Sequence, residues 1–193
     1  METVTNYALK EWDIAIQALE LGETIMLLRK GGIREHGGKF KVDHDRILLY
    51  PTFEHQKPTL LKPEYANLVQ PVASGWHPET VKISSFAEIT HILSWNNAQN
   101  ESLINFLIKY HIFNQEFVRD RLQFKPDQPI YILLLRTYKL EKVYNIPYHS
   151  SYGGCRSWIE LQEMIPLTHS RPVLTQENYD QQVSIIHQIL QPS

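Results

Sequence analysis

The chain is predicted to be an α+β fold, a single domain over residues 1–193 built on one mixed β-sheet with N-terminal and C-terminal amphipathic helices. Three observations predict it. Apolar residues recur at helical spacing near both ends. The segment PIYILLLRTYKL (Pro129–Leu140) carries a continuous apolar run suited to a strand covered on both faces. Between them, short apolar runs are punctuated by Gly-Gly pairs and prolines, as strands joined by turns require.

Taken in order, Leu9, Trp12, Ile16 and Leu19 predict a first helix, with Asn6 as its cap and Gly22 as its stop. Thr24–Arg29 reads as a buried strand, and Lys39–Val42 as a short strand after turns at Gly31-Gly32 and Gly37-Gly38. Ile47–Phe53 is a third strand, in which Pro51 marks an edge or a bulge. From Gln56 to Pro78 the prolines Pro58, Pro63, Pro71 and Pro78 predict a surface excursion with one short helix near Glu64–Leu68. Val81–Leu93 carries conflicting signals. Ser85 and Glu88 stand at capping-box spacing, whereas Ile83, Ala87, Ile89 and Leu93 share one face of an extended chain; a strand is predicted. Leu103, Phe106, Leu107 and Tyr110 mark a helix capped near Asn100, and a shorter helix follows Asn114. Tyr152–Leu161 makes a Gly-Gly turn and a short strand. Tyr179, Val183, Ile186 and Leu190 predict the closing helix.

Composition narrows the function classes. With 42% hydrophobic and 21% charged residues, the chain is of ordinary globular type. Its net charge of -2 supplies no global field for nucleic acid or an anionic membrane, so such binding needs a local patch. The lone cysteine, Cys155, excludes an internal disulfide and fits a reducing compartment, so a cytoplasmic protein is expected. The polar start METVTNYALKEW lacks the pattern of a signal peptide. No apolar stretch approaches the roughly 20 residues that span a bilayer.

The blocks LLRKGGIREHGGKF, LLYPTFEHQ, YILLLRTYKL and YGGCRSWIEL, in that order, resemble the bacterial family catalogued as domain of unknown function 1802, over roughly Ala8 to Leu161. The resemblance brings no activity, cofactor or catalytic residue with it. It implies only a loose association with the neighbourhood of restriction-type nucleases.

The densest polar chemistry runs from Leu27 to Gln56. Arg29, Lys30, Arg34, Lys39, Lys41 and Arg46 there outnumber Glu35, Asp43 and Asp45, beside two Gly-Gly turns whose backbone N–H groups could face an anion. The primary expectation is therefore a nucleic-acid- or nucleotide-binding domain. Arg29, Lys30, Arg34, Lys39 and Arg46 would contact phosphate, and His36 and His55 would hydrogen-bond it. No Gly-Lys-Ser/Thr follows the glycines, so this is not a P-loop. Tyr50, Phe53 and Trp76 would add stacking faces for unpaired bases.

The alternative is a Mg²⁺-dependent nuclease of PD-(D/E)XK type. Asp43 or Asp45 with Glu54 would be the metal ligands, with Glu11 or Glu20 nearby. Gln56 would stand where that chemistry normally has Lys. No cofactor is expected unless this alternative holds. His36, His44 and His55 raise zinc as an idea, but no metal-ligand spacing supports it. The YGGCRSW segment is a second candidate wall, with Cys155 as a nucleophile beside Arg156 and His149 as its base. A protein-interaction domain using Lys57–Pro78 is the remaining alternative. Arg136, inside an apolar strand, must reach the surface or find a carboxylate.

Overall fold

The computed structural model describes residues 3–30, 44–95, 101–124, 126, 128–154 and 156–190, together with the backbone of 35–36 and 39–40. The elements are β1 (Val4–Trp12), α1 (Asp13–Leu21), β2 (Met26–Arg29), β3 (Glu35–His36), β4 (Lys39–Phe40), β5 (Arg46–Thr52), α2 (Pro63–Ala66), β6 (Thr80–Trp95), α3 (Glu101–Tyr110), α4 (Gln115–Gln123), β7 (Ile130–Pro147), β8 (Trp158–Pro166), β9 (Arg171–Pro172) and α5 (Gln176–Leu190). The described strands form a seven-stranded mixed sheet in the order β2-β7-β6-β5-β1-β8, with β9 added on β7. Only β1 and β5 pair in parallel within it. β3 and β4 form a separate two-stranded hairpin. The expected α+β architecture is present, with terminal helices.

Strand alternation divides the apolar residues between two cores. Leu9, Ile47, Leu49 and Ala87 face the larger one, which α1, α3, α4 and α5 cover. Ala8, Leu48, Tyr50 and Phe86 face a smaller one, walled mainly by strands β1, β5, β6, β7 and β8. A core enclosed by five strands of one sheet requires that sheet to bend over on itself. Arg29 shows the curl directly. In a flat sheet β2 and β1 would stand four strand spacings apart, about 19 Å, yet the Arg29 guanidinium donates to the Lys10 carbonyl at 2.7 Å.

The predicted first helix is corrected at its start. Val4–Trp12 is a strand paired with both β5 and β8, and the helix begins only at Asp13. Ala8 and Leu9 are both buried, one in each core, which a helix lying on one face could not achieve. The predicted stop holds: Gly22 sits at φ 73, and Glu23 N donates to Ala18 O at 3.0 Å, closing the helix end.

Val81–Leu93 is a strand, as expected, but its four apolar residues do not share one face. An irregularity between Ile83 and Ser85 shifts the register against β7, so Ile83 enters the smaller core while Ala87 and Leu93 enter the larger. The Gln56–Pro78 excursion is more anchored than its prolines suggest. It carries a 3-10 turn at Pro58–Leu60 and the short helix at Pro63–Ala66, and it buries Leu60, Leu61 and Val69. The helices α3, α4 and α5 match expectation, the expected cap of α3 near Asn100 lying outside the described residues. The Asn114 side chain caps α4 by accepting from Phe117 N at 3.2 Å. Tyr179, Val183 and Ile186 are the buried face of α5.

Candidate phosphate-binding mouth

Parallel pairing ends β1 and β5 together, with Lys10, Glu11 and Trp12 beside Tyr50, Pro51 and Thr52. At this end of the sheet the two polar segments singled out in the sequence meet. Arg29, at the end of β2, pairs with Glu11 at 2.9 Å and reaches Ser157 Oγ at 3.5 Å. Lys10 N donates to Ser157 O at 2.8 Å, and its ammonium donates to the carbonyls of Tyr152 (2.6 Å) and Gly154 (2.9 Å). Successive residues of a strand point to opposite faces. Lys10 and Glu11 therefore lie on either side of β1, with Tyr152 and Gly154 meeting the Lys10 side chain and Ser157 meeting the Arg29 that pairs with Glu11.

Glu11 is shared. One of its oxygens accepts from Trp12 N at 2.8 Å and the other pairs with Arg29. Arg121 of α4 also feels that carboxylate. Its guanidinium lies 4.8 Å from the centre of the Phe117 ring, and burial pushes its pKa down, with Glu11 opposing that shift and Arg29 adding to it. The charge of Glu11 thus acts on both guanidiniums, and the side chains of the Arg29–Glu11 pair are mostly buried. The Arg29 Nε is buried and has no hydrogen-bond partner among the described residues.

The other candidates have different fates. Lys30 is 7% exposed, and its ammonium donates to Leu122 O at 3.0 Å, in the last turn of α4, where a helix favours a cation. It braces α4 and is withdrawn from any surface. Gln56 is likewise 7% exposed. Its carbonyl oxygen accepts from Ile14 N at 3.3 Å, so it serves the first turn of α1 from outside the helix and is not placed to orient water. Arg46 lies at the other end of β5, paired with Glu88 at 2.9 Å. His55 is exposed at φ 62, just beyond β5. Arg34 and Asp43 lie outside the described residues, as do Lys41 and Cys155, and of His36 and Lys39 only the backbone is described.

Of the expected Mg²⁺ ligands, Asp45 and Glu54 do not converge, and Asp43 lies outside the described residues. Asp45 precedes β5 and Glu54 follows it, nine residues apart across an extended strand, or about 30 Å. The Glu54 carboxylate instead accepts a hydrogen bond from Gly75 N. His44 and His55 are separated in the same way, and His44 stacks on Tyr7. Glu20 accepts from Ser84 Oγ at 2.5 Å, away from both. His149 bonds Ser151 in its own turn. Arg136 finds its carboxylate through a relay: its Nε donates to Tyr138 Oη at 3.0 Å, which donates to Glu88 at 3.0 Å.

An open cleft of about 720 Å³ lies elsewhere, near the start of β5, lined by Asn6, Tyr7, His44, Asp45, Arg46 and Glu88 among others. Its charges are one cation against two carboxylates, so it offers an anion no net attraction. The mouth does. Sequence reasoning found Arg29 there and missed Arg121, Glu11 as its partner, and Lys10. Arg121 lies on a charged helix face, where nothing local separates it from a solvated residue.

Among the described residues no helix is long and apolar enough to cross a membrane. Among curated proteins none matches the chain. Three crystal structures of ASCH from Zymomonas mobilis are similar to it. One, of ASCH itself, is 15% identical, covers 93% of this chain and 94% of that one, and has a TM-score of 0.39. Two of its mutants are 13% and 14% identical, with TM-scores of 0.45 and 0.41. They cover 93% and 96% of this chain and 96% and 99% of their own. The model of the family described as Domain of unknown function (DUF1802) matches residues 8–184, and the chain belongs to that family.

Proposed function

We propose that this protein binds nucleic acid or a nucleotide through phosphate, at the mouth formed by Arg29, Arg121, Arg156 and Ser157. The observation that carries the reading is the Arg29 guanidinium: it pairs with Glu11 and bonds Lys10 O and Ser157 Oγ, while its buried Nε meets no partner among the described residues. A guanidinium largely withdrawn from water and left with an unpaired N–H favours an anionic ligand, and the planar fork of arginine matches phosphate oxygens. Ser157 Oγ adds a hydroxyl at the same place. Lys30, Arg46 and Gln56 are left out of this site, since each serves another contact. Binding is proposed to need no Mg²⁺, because Asp45 and Glu54 stand at opposite ends of β5.

The test is fluorescence anisotropy with a labelled oligonucleotide, and competition by an adenine nucleotide, in EDTA and over a range of salt. The wild type is expected to bind, with affinity falling as salt rises. Arg121→Gln keeps the side chain's stem while removing its charge. It is expected to weaken binding roughly tenfold or more, since hydrogen bonds to charged groups are the strong ones, and to flatten the salt dependence. The absence of binding to any strand or nucleotide, or binding indifferent to salt, would overturn the proposal.

A further inference from the structure

We infer that the nucleic acid taken at this mouth is single-stranded, its unpaired bases lying on a platform of Phe53, Trp76, His77 and Tyr148. The inference rests on the phosphate reading and adds the class of ligand. Trp76 is 45% exposed, an unusual setting for the largest apolar side chain, and it is held there by specific bonds. Trp76 N donates to Ala73 O at 3.1 Å, closing a turn in which Gly75 takes φ +81, a conformation that suits glycine. The Glu54 carboxylate accepts from Gly75 N and ties that turn to the end of β5. Trp76 stands edge-on to Phe53, with centroids 5.8 Å apart. His77 next to it is exposed and stacks on Tyr148 at 3.4 Å, while Tyr148 N donates to Glu79 O at 2.8 Å. The rings are therefore presented on a braced surface.

The platform leads to the cations. Tyr148 meets Tyr152 at 6.5 Å, and the Tyr152 carbonyl accepts from the Lys10 ammonium. Two residues beyond Gly154, whose carbonyl also holds Lys10, the loop passes Arg156 and reaches Ser157 beside Arg29. Rings and positive charges thus sit on the two sides of one loop. That combination, aromatic faces beside a cationic track, suits a strand whose bases are unpaired. A duplex keeps its base faces stacked inside and could offer the rings nothing but its edges.

The experiment compares four labelled probes of equal length: a DNA single strand, the RNA strand of the same sequence, an abasic DNA strand, and a DNA duplex. Wild type is expected to bind both single strands more tightly than the abasic strand or the duplex, and a difference between the first two identifies the preferred sugar. Trp76→Ala should weaken single-strand binding by roughly five- to hundred-fold, and leave the abasic strand unchanged. Trp76→Phe, which keeps a ring face, should restore most of it. If wild type binds all four alike and Trp76→Ala changes nothing, the platform inference is overturned and the phosphate reading stands, the exposed rings then serving another partner. If no probe binds, the platform inference falls, and the phosphate reading falls with it unless an adenine nucleotide binds.

Discussion

His111, at 3% exposure, has both ring nitrogens out of water. Its Nδ1 accepts from Phe113 N at 3.0 Å, and its Nε2 meets no hydrogen-bond partner among the described residues. Burial first, and the nearby Lys62 second, push its pKa down to about 3. In the unfolded chain the same group titrates near 6.5. Between those values the unfolded state binds a proton that the folded state does not, so stability must fall as pH falls through that window and be complete above it. The expected loss between pH 7 and pH 5 is about 2 kcal/mol. Urea denaturation at both pH values should show it, and His111→Gln should remove most of this difference. Single residues were also where the sequence misled most. Gln56 looks like a failed metal-site lysine, yet its partner is the backbone of Ile14, 42 residues earlier. No local pattern reveals such a contact.

β7 was the most legible element, and for a physical reason. Ile132, Leu133, Leu134 and Leu135 are all 0% exposed and all belong to the larger core, with strands β2 and β6 on its two edges. An element buried all round must be apolar all round, and that survives in sequence as an unbroken run. Leu134→Ala is expected to cost about 2–5 kcal/mol by leaving a cavity, measured as a shift in denaturation midpoint at constant slope. A loss under about 1 kcal/mol would mean that one face collapses onto the gap or is open. β1 was illegible for the opposite reason. Leu9, Trp12, Ile16 and Leu19 are spaced as one helix, but the first two belong to a strand and the last two to α1, and the join at Asp13 carries no strong marker. The register shift beside Ser84 was equally silent, since a bulge is a property of two strands together.

Across the whole molecule, the pair Arg29–Glu11 does what no backbone ladder does: it joins edge strand β2 to β1 across the curl of the sheet. Their side chains are only 12% and 11% exposed. Glu11→Gln would strand a buried guanidinium and should cost about 3 kcal/mol, whereas Glu11→Leu with Arg29→Met should recover much of it. Thermal melting of the three chains tests this, and equal melting of single and double variants would argue against the bridge. The sequence flagged two of the segments that form the mouth, residues 27–56 and 152–158, but neither Arg121 of α4 nor their meeting, which depends on that curl. The same long reach shapes how the chain is made. β1 is made well before its outer partner β8, which lies more than 140 residues downstream, with Asn6 donating to Leu161 O across 155 positions. At a synthesis rate of about 5–20 residues per second, the strand spends roughly 8–30 s on the ribosome with one hydrogen-bonding edge unclaimed. During that interval the polar residues Thr3, Thr5, Asn6 and Lys10 are what discourage another chain from pairing there.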